Sequence, residues 1–177
     1  MVLDEMLETP EAVIEAEKAQ QVTSATLKSL GYEVVKPTDS KQGVDFNIKK
    51  GTVQYSLAVA FAGPQSETHF RIPVGSIDAK IDNIFTMEAQ CIAFYQEKYE
   101  GGTIFTCNIQ DLRNITLQLV KKLKENKAFS FYAHNALEKK RLHASYREDV
   151  KGYVIYVYLP IEAVCKNIKM NKQRVGK

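Results

Sequence analysis

Several large classes of protein are excluded by what this sequence does not contain. No stretch approaches roughly 18 uninterrupted apolar residues, so no membrane span is expected. Cysteine is scarce: Cys91, Cys107 and Cys165 stand far apart without a CxxC pair, and the three histidines make no zinc pattern. The thiols read as reduced, partly buried side chains of a cytoplasmic protein. The first residues, MVLDEMLETPEAV, are acidic and carry no basic region, so they do not read as a signal peptide. There is no internal repeat and no low-complexity tract. What remains is a chain of 177 residues, 45% hydrophobic and 25% charged, ordinary for a globular protein. That length is enough for one well-buried domain, alone or with an extension.

The formal net charge of +3 says less than its distribution. The first 33 residues hold Asp4, Glu5, Glu8, Glu11, Glu15, Glu17 and Glu33, opposed only by Lys18 and Lys28. Positive charge gathers at Lys121-Lys122-Leu123-Lys124, at Lys139-Lys140-Arg141 and from Lys166 to Lys177. Such clusters suit either phosphate contact or the solvated faces of helices.

Thr9-Pro10 fits the start of a helix over about residues 10–30, with Val13, Ala16, Gln20, Thr23, Leu27 and Leu30 at helical spacing and Gly31 at its end. A short strand follows at 32–35. Val44, Phe46 and Ile48 alternate with Asp45 and Asn47, the period of a strand; Lys49-Lys50-Gly51 reads as a turn, and a second strand runs from Thr52 to about Ala62. In it Leu57, Val59 and Phe61 point one way and Ala58, Ala60 and Ala62 the other, the alanines toward the side of Asp45. Further along, the pattern predicts a short strand at 69–72, a helix over about 78–99 ended by Gly101-Gly102, a strand at 103–109 and a helix over about 112–126. Beyond it come strands at 128–133 and 152–159, a helical segment around 136–147, and a final amphipathic helix opened by Pro160. This order argues for an α/β fold, a mixed sheet flanked by helices.

Asp45, the triplet Ala58-Val59-Ala60 thirteen residues on, the helix ending in Leu30-Gly31-Tyr32 and the run Gly43-Val44-Asp45-Phe46 together resemble the PD-(D/E)XK nuclease superfamily, which includes Holliday junction resolvases and restriction endonucleases. The resemblance covers roughly residues 10 to 125. It implies a restriction endonuclease-like αβββαβ core over residues 1–127 with a C-terminal α+β extension, 128–177, packed on the same domain. It also implies a metal-dependent endonuclease that hydrolyses phosphodiesters of duplex or branched DNA with Mg²⁺ or Mn²⁺, and, for two-strand cutting, a homodimer. In that chemistry hard oxygen ligands hold a divalent ion that activates water and neutralises developing charge.

Carried onto this chain, the ligands implied by the resemblance are Asp45, the side chain at Ala58, the carbonyl of Val59 and, from the first helix, Glu17. The water-orienting lysine belongs at Ala60. Candidates for nucleic-acid contact are Lys41, Arg71, Lys80, Lys139, Lys140 and Arg141. The chain departs from the family at two positions, because alanine at 58 and 60 ligates and donates nothing. It is therefore expected not to cleave efficiently as it stands. Three accounts remain open. The alanines are deliberate replacements that disable a site; or they record natural loss, leaving a nucleic-acid-binding or protein-interaction module; or Glu67, Lys80 or Glu88 supplies the missing groups from neighbouring elements. A plain structural role for Asp45 at a strand start is the bland alternative.

Overall fold

The main sheet takes its register from a two-residue turn. Lys50 pairs with Val53 across it, and Gly51 adopts φ 60°, the left-handed region that a tight hairpin turn demands and that glycine reaches without a Cβ clash. The strands it joins are β2 (Phe46–Lys50) and β3 (Val53–Pro64). The computed structural model describes residues 10–39, 41–77, 83–125, 142–147 and 152–176. On the far side of β2 lies the short antiparallel strand β1 (Glu33–Val35). Beyond β3 the sheet continues with β5 (Cys91–Lys98), which runs parallel to it, then β6 (Gly101–Asn108) and β9 (Asn171–Val175), both antiparallel to their neighbours. The result is a six-stranded mixed sheet in the order β1-β2-β3-β5-β6-β9. A second sheet of three antiparallel strands has β8 (Gly152–Pro160) between β4 (His69–Ile77) and β7 (Leu142–Arg147).

Both faces of the main sheet are covered, and the strand pattern explains how. Along β3, Leu57 packs on one side with Phe46, Ile48, Ala93, Tyr95 and Ile104, beneath helix α1 (Pro10–Ser29). Ala58 and Ala62 face the opposite side, where Phe94 and Phe105 meet Phe70 and Ile72 of β4 and Val157 and Leu159 of β8. Leu112 of helix α2 (Ile109–Glu125) and Val164 of helix α3 (Ile161–Asn167) complete that second core. The alanine face is thus no open surface: a small second sheet closes over it, and the small side chains leave room for that approach. The mixed α/β architecture with flanking helices is the one expected from the order of elements. Among the described residues no helix is long and apolar enough to cross a membrane.

Four local expectations need correction. Over its described residues, 83–99, the segment expected as a helix at 78–99 is not one. Its residues 91–98 form β5, a central strand in which Ile92 through Gln96 are all buried. A strand covered on both faces is a continuous apolar run, and such a run fits helical spacing by accident. Gly101-Gly102, read as a helix stop, begins β6 just past the turn that joins it to β5; Gly101 has φ 90° there. The segment around 136–147 is not helical over 142–147, which pair as β7 with Val157 through Gly152 of β8. The last helix stops at Asn167: Ile168 is extended, its N–H returning to the Val164 carbonyl, and the chain then joins β6 as β9. Finally, the inward face of α1 is Ala19 and Thr23, both buried, with Val22 and Leu27 half-buried; Ala16 and Leu30 are exposed. The strand expected at 128–133 lies outside the described residues.

A buried thiol and a half-buried phenol tie stability to alkaline pH. Burial pushes the Cys107 thiol from its ordinary 9.0 up to about 12 and the Tyr55 phenol from 10.0 up to about 12. Each keeps its proton in the fold and loses it on unfolding once pH passes the ordinary value. Above pH 9 the unfolded chain therefore binds fewer protons, and stability falls as pH rises. Urea midpoints measured from pH 8 to pH 10.5 are expected to decline steadily; a flat profile would contradict the burial of these groups.

Candidate functional site

Asp45 stands one residue before β2, and the ladder extends to include it: its N–H donates to the Leu57 carbonyl at 2.9 Å. Because Phe46 lies opposite Leu57, Asp45 lies opposite Ala58. Directly opposed residues of an antiparallel pair send their side chains to the same face, with Cβ atoms about 4.5–5.5 Å apart. The same alternation puts Ala60 on that face one step along. Asp45, Ala58, Val59 and Ala60 border a common cavity of about 200 Å³, and Arg71 of β4 borders it from across the gap between the sheets. Its remaining wall is apolar and includes Ile72, Ile84 and Phe94.

The Asp45 carboxylate is half-buried and already engaged. Oδ2 accepts the Val59 N–H at 2.7 Å, and Oδ1 accepts Nε2 of Gln20 in α1 at 3.2 Å. The first bond takes the place of the next rung of the β2–β3 ladder, so Asp45 caps the end of the hairpin as well as facing the cavity. Glu17 precedes Gln20 by three residues on α1, a spacing that puts the two on one helix face, and Glu17 is exposed. From α1, Gln20 reaches Asp45.

Arg71 is held in place by two tyrosines of β8. Its guanidinium lies over the Tyr156 ring, 4.6 Å from the centroid, a cation–π contact. It also neighbours the Tyr158 phenol, whose pKa burial pushes up while the guanidinium pulls it part of the way back. The phenol is thus neutral near pH 7, and the positive charge at the cavity's edge belongs to Arg71.

The other candidates scatter. Lys41 is exposed, 3.9 Å from Asp39, and borders a separate polar pocket of about 410 Å³ with Asn47, Ser56 and Glu88. Glu88 therefore sits by the Asn47–Ser56 pair, two pairs along the hairpin from Asp45. Glu67 turns the other way: its carboxylate accepts the N–H groups of Thr68 and His69 at 3.0 and 3.1 Å, and it borders a different cavity with Gln96 and Lys166. Lys80, Lys139, Lys140 and Arg141 lie outside the described residues.

A hard divalent cation needs several oxygen ligands. Of the described side chains bordering the cavity only Asp45 is a carboxylate, and Ala58 and Ala60 offer no ligand atom. Among the described residues no group of three His, Cys, Asp or Glu is placed to hold a metal. The described residues at this cavity do not by themselves fit Mg²⁺ or Mn²⁺.

One residue at the site left no trace in the sequence. Arg113, in the first half of α2, reaches two backbone carbonyls of the 84–87 segment that walls the cavity. A single arginine on an amphipathic helix carries no signal of such a contact.

No family model matches this chain, and no curated protein does. Among solved structures it is similar to a bacterial homing endonuclease, at 10% identity and a TM-score of 0.41, over 55% of this chain and 68% of that one.

Proposed function

We propose that this protein is built on a nuclease scaffold, binds DNA across the Asp45 cavity, and does not hydrolyse it in its present form. One observation carries the reading: the register that sets Asp45 opposite Ala58, with Ala60 on the same face and the Arg71 guanidinium across the cavity. A carboxylate at 58 would share a divalent ion with Asp45 and the Val59 carbonyl. Glu17, one turn from Gln20, would add a ligand from α1, and a lysine at 60 would orient the attacking water. Mg²⁺, or Mn²⁺, is the ion such oxygen ligands suit. The core boundary at 127, the contacts of Lys41, Arg71, Lys80, Lys139, Lys140 and Arg141 with the phosphate backbone, and a homodimer for cutting both strands belong to the same proposal.

The test restores what is missing. Ala58→Glu with Ala60→Lys is expected to nick supercoiled and branched DNA in Mg²⁺, and Asp45→Asn in that background is expected to abolish the nicking. A folded double variant that cleaves at no Mg²⁺ concentration would overturn the hydrolytic part. The unaltered chain is expected to bind DNA with an affinity that falls as salt rises; insensitivity to salt would overturn the binding part.

A second reading has an observation of its own. Both oxygens of the Asp45 carboxylate already accept protein donors, from Val59 and Gln20. That favours a module in which Asp45 serves the hairpin and the fold only binds. Under this reading the double variant binds DNA and stays inert.

A further inference from the structure

We infer that Arg113 is a positioning residue for Asp45, acting through the segment that walls the cavity. Its guanidinium is a rigid fork of N–H donors with no acceptor. From α2 it sends Nε to the Ile84 carbonyl at 2.6 Å and Nη2 to the Met87 carbonyl, while Nη1 lies 3.4 Å from Gln110 Oε1. The two carbonyls belong to one tight turn, closed by the N–H groups of Thr86 and Met87 on the Asn83 carbonyl at 3.0 Å each. One side chain thus fixes two points of that turn, and fixes its orientation.

The turn in its turn holds the residues that lead into Asp45. The Glu88 N–H donates to the Gln42 carbonyl at 2.8 Å. Met87 packs so closely on Gly43 that a Cβ there would lie 2.5 Å from the Met87 Cγ; Gly43 also has φ 70°, a conformation in which a side chain is strained. Gln42 and Gly43 are therefore pinned by Met87 and Glu88, and Asp45 follows two residues later. The turn is anchored on the other side by the Ile84 N–H on the Pro73 carbonyl of β4 at 2.8 Å, and Ile84 itself is fully buried. It bridges α2, β4 and the start of β2, and Arg113 is its tie to α2.

Packing alone does not account for an arginine here. Helix α2 is already seated by Ile109 and Leu112, both buried. A point donor such as lysine cannot serve two carbonyls in a fixed fork geometry. The consequence for cleavage rests on the nuclease reading; the positioning of Asp45 does not.

The experiment separates the two. Hydrogen exchange is followed residue by residue in the unaltered chain, in Arg113→Lys and in Arg113→Met. The reporters are the Val59 amide, which donates to Asp45, and the Glu88 amide, which donates to Gln42. Both are expected to exchange at least ~10-fold faster in Arg113→Met, and less so in Arg113→Lys, while β5–β6 amides such as Phe94 stay within ~2-fold. Uniform acceleration throughout the sheet would make Arg113 merely structural and overturn the inference, as would no change at Val59. If Arg113→Met fails to fold, Arg113→Lys decides on the same reporters. In the background of Ala58→Glu with Ala60→Lys, Arg113→Lys is expected to lower kcat about tenfold with DNA affinity unchanged. Should that background not cleave at all, the nuclease reading falls and the exchange result still decides the role of Arg113.

Discussion

Ala58→Glu with Ala60→Lys is expected to make the melting temperature depend on Mg²⁺, where that of the unaltered chain does not. Ala58 is only 3% exposed. Glutamate there places a second carboxylate across the strand pair from Asp45, out of water, and like charges so placed oppose each other. Lysine at 60 offsets part of that cost. A divalent cation offsets more, because it binds both carboxylates in the folded state and has no such site in the unfolded chain. At a hundredfold excess over Kd such binding contributes about 2.7 kcal/mol. For a chain of this size that is a rise of about 5–10 °C. Calorimetry in EDTA and in Mg²⁺ measures it directly and requires no substrate. A folded double variant that melts at the same temperature in both would show that the two strands do not form a metal centre, whatever happens to DNA.

Phe94→Ala is expected to cost about 3–5 kcal/mol. Phe94 sits in β5 at 2% exposure, stacked on Phe70 of β4 with ring centroids 4.3 Å apart; Phe70 in turn meets Phe105 edge-on at 5.5 Å. This trio joins the six-stranded sheet to the three-stranded one, so its loss weakens the junction between them. The same ring borders the Asp45 cavity, which the substitution would enlarge. The urea midpoint should drop sharply with the m-value unchanged, as for a cavity in an otherwise intact fold. A loss below about 1 kcal/mol would mean that the junction is not packed around Phe94.

Much of what positions the site could be read from residues alone, because it is local. Alternation in Val44–Ile48, the Gly51 turn and the parity of Leu57 to Ala62 suffice to place Asp45 and the alanines on one face. What could not be read is what covers that face. The three-stranded sheet comes from residues far apart in the chain: β8 pairs back onto β4, as Ile77 with Tyr153 and His69 with Pro160, and β7 pairs with β8. Long-range pairing of that kind leaves no short-range pattern. Residues 91–98 failed for a related reason: a strand sandwiched between two layers loses the alternation that marks a half-exposed one. Gln20 shares its helical spacing with Thr23 and Leu27, and its bond to Asp45 depends on how that helix crosses the sheet. Arg113 depends on a turn that the sequence pattern assigned to a helix.

The sixth strand has a consequence for the order in which the protein can be completed. β9 is the last of the described strands in sequence, yet it pairs with the middle of β6, from Gly102 to Thr106, and Gly101 has no room for a Cβ because the Val175 carbonyl lies against it. Until residues 171–175 leave the ribosome, the outer hydrogen-bonding edge of β6 has no partner from this sheet. A nascent chain halted before that point carries an exposed template for another strand beside Ile104 and Phe105. The interval before β9 arrives is when this chain is most open to pairing with a neighbour.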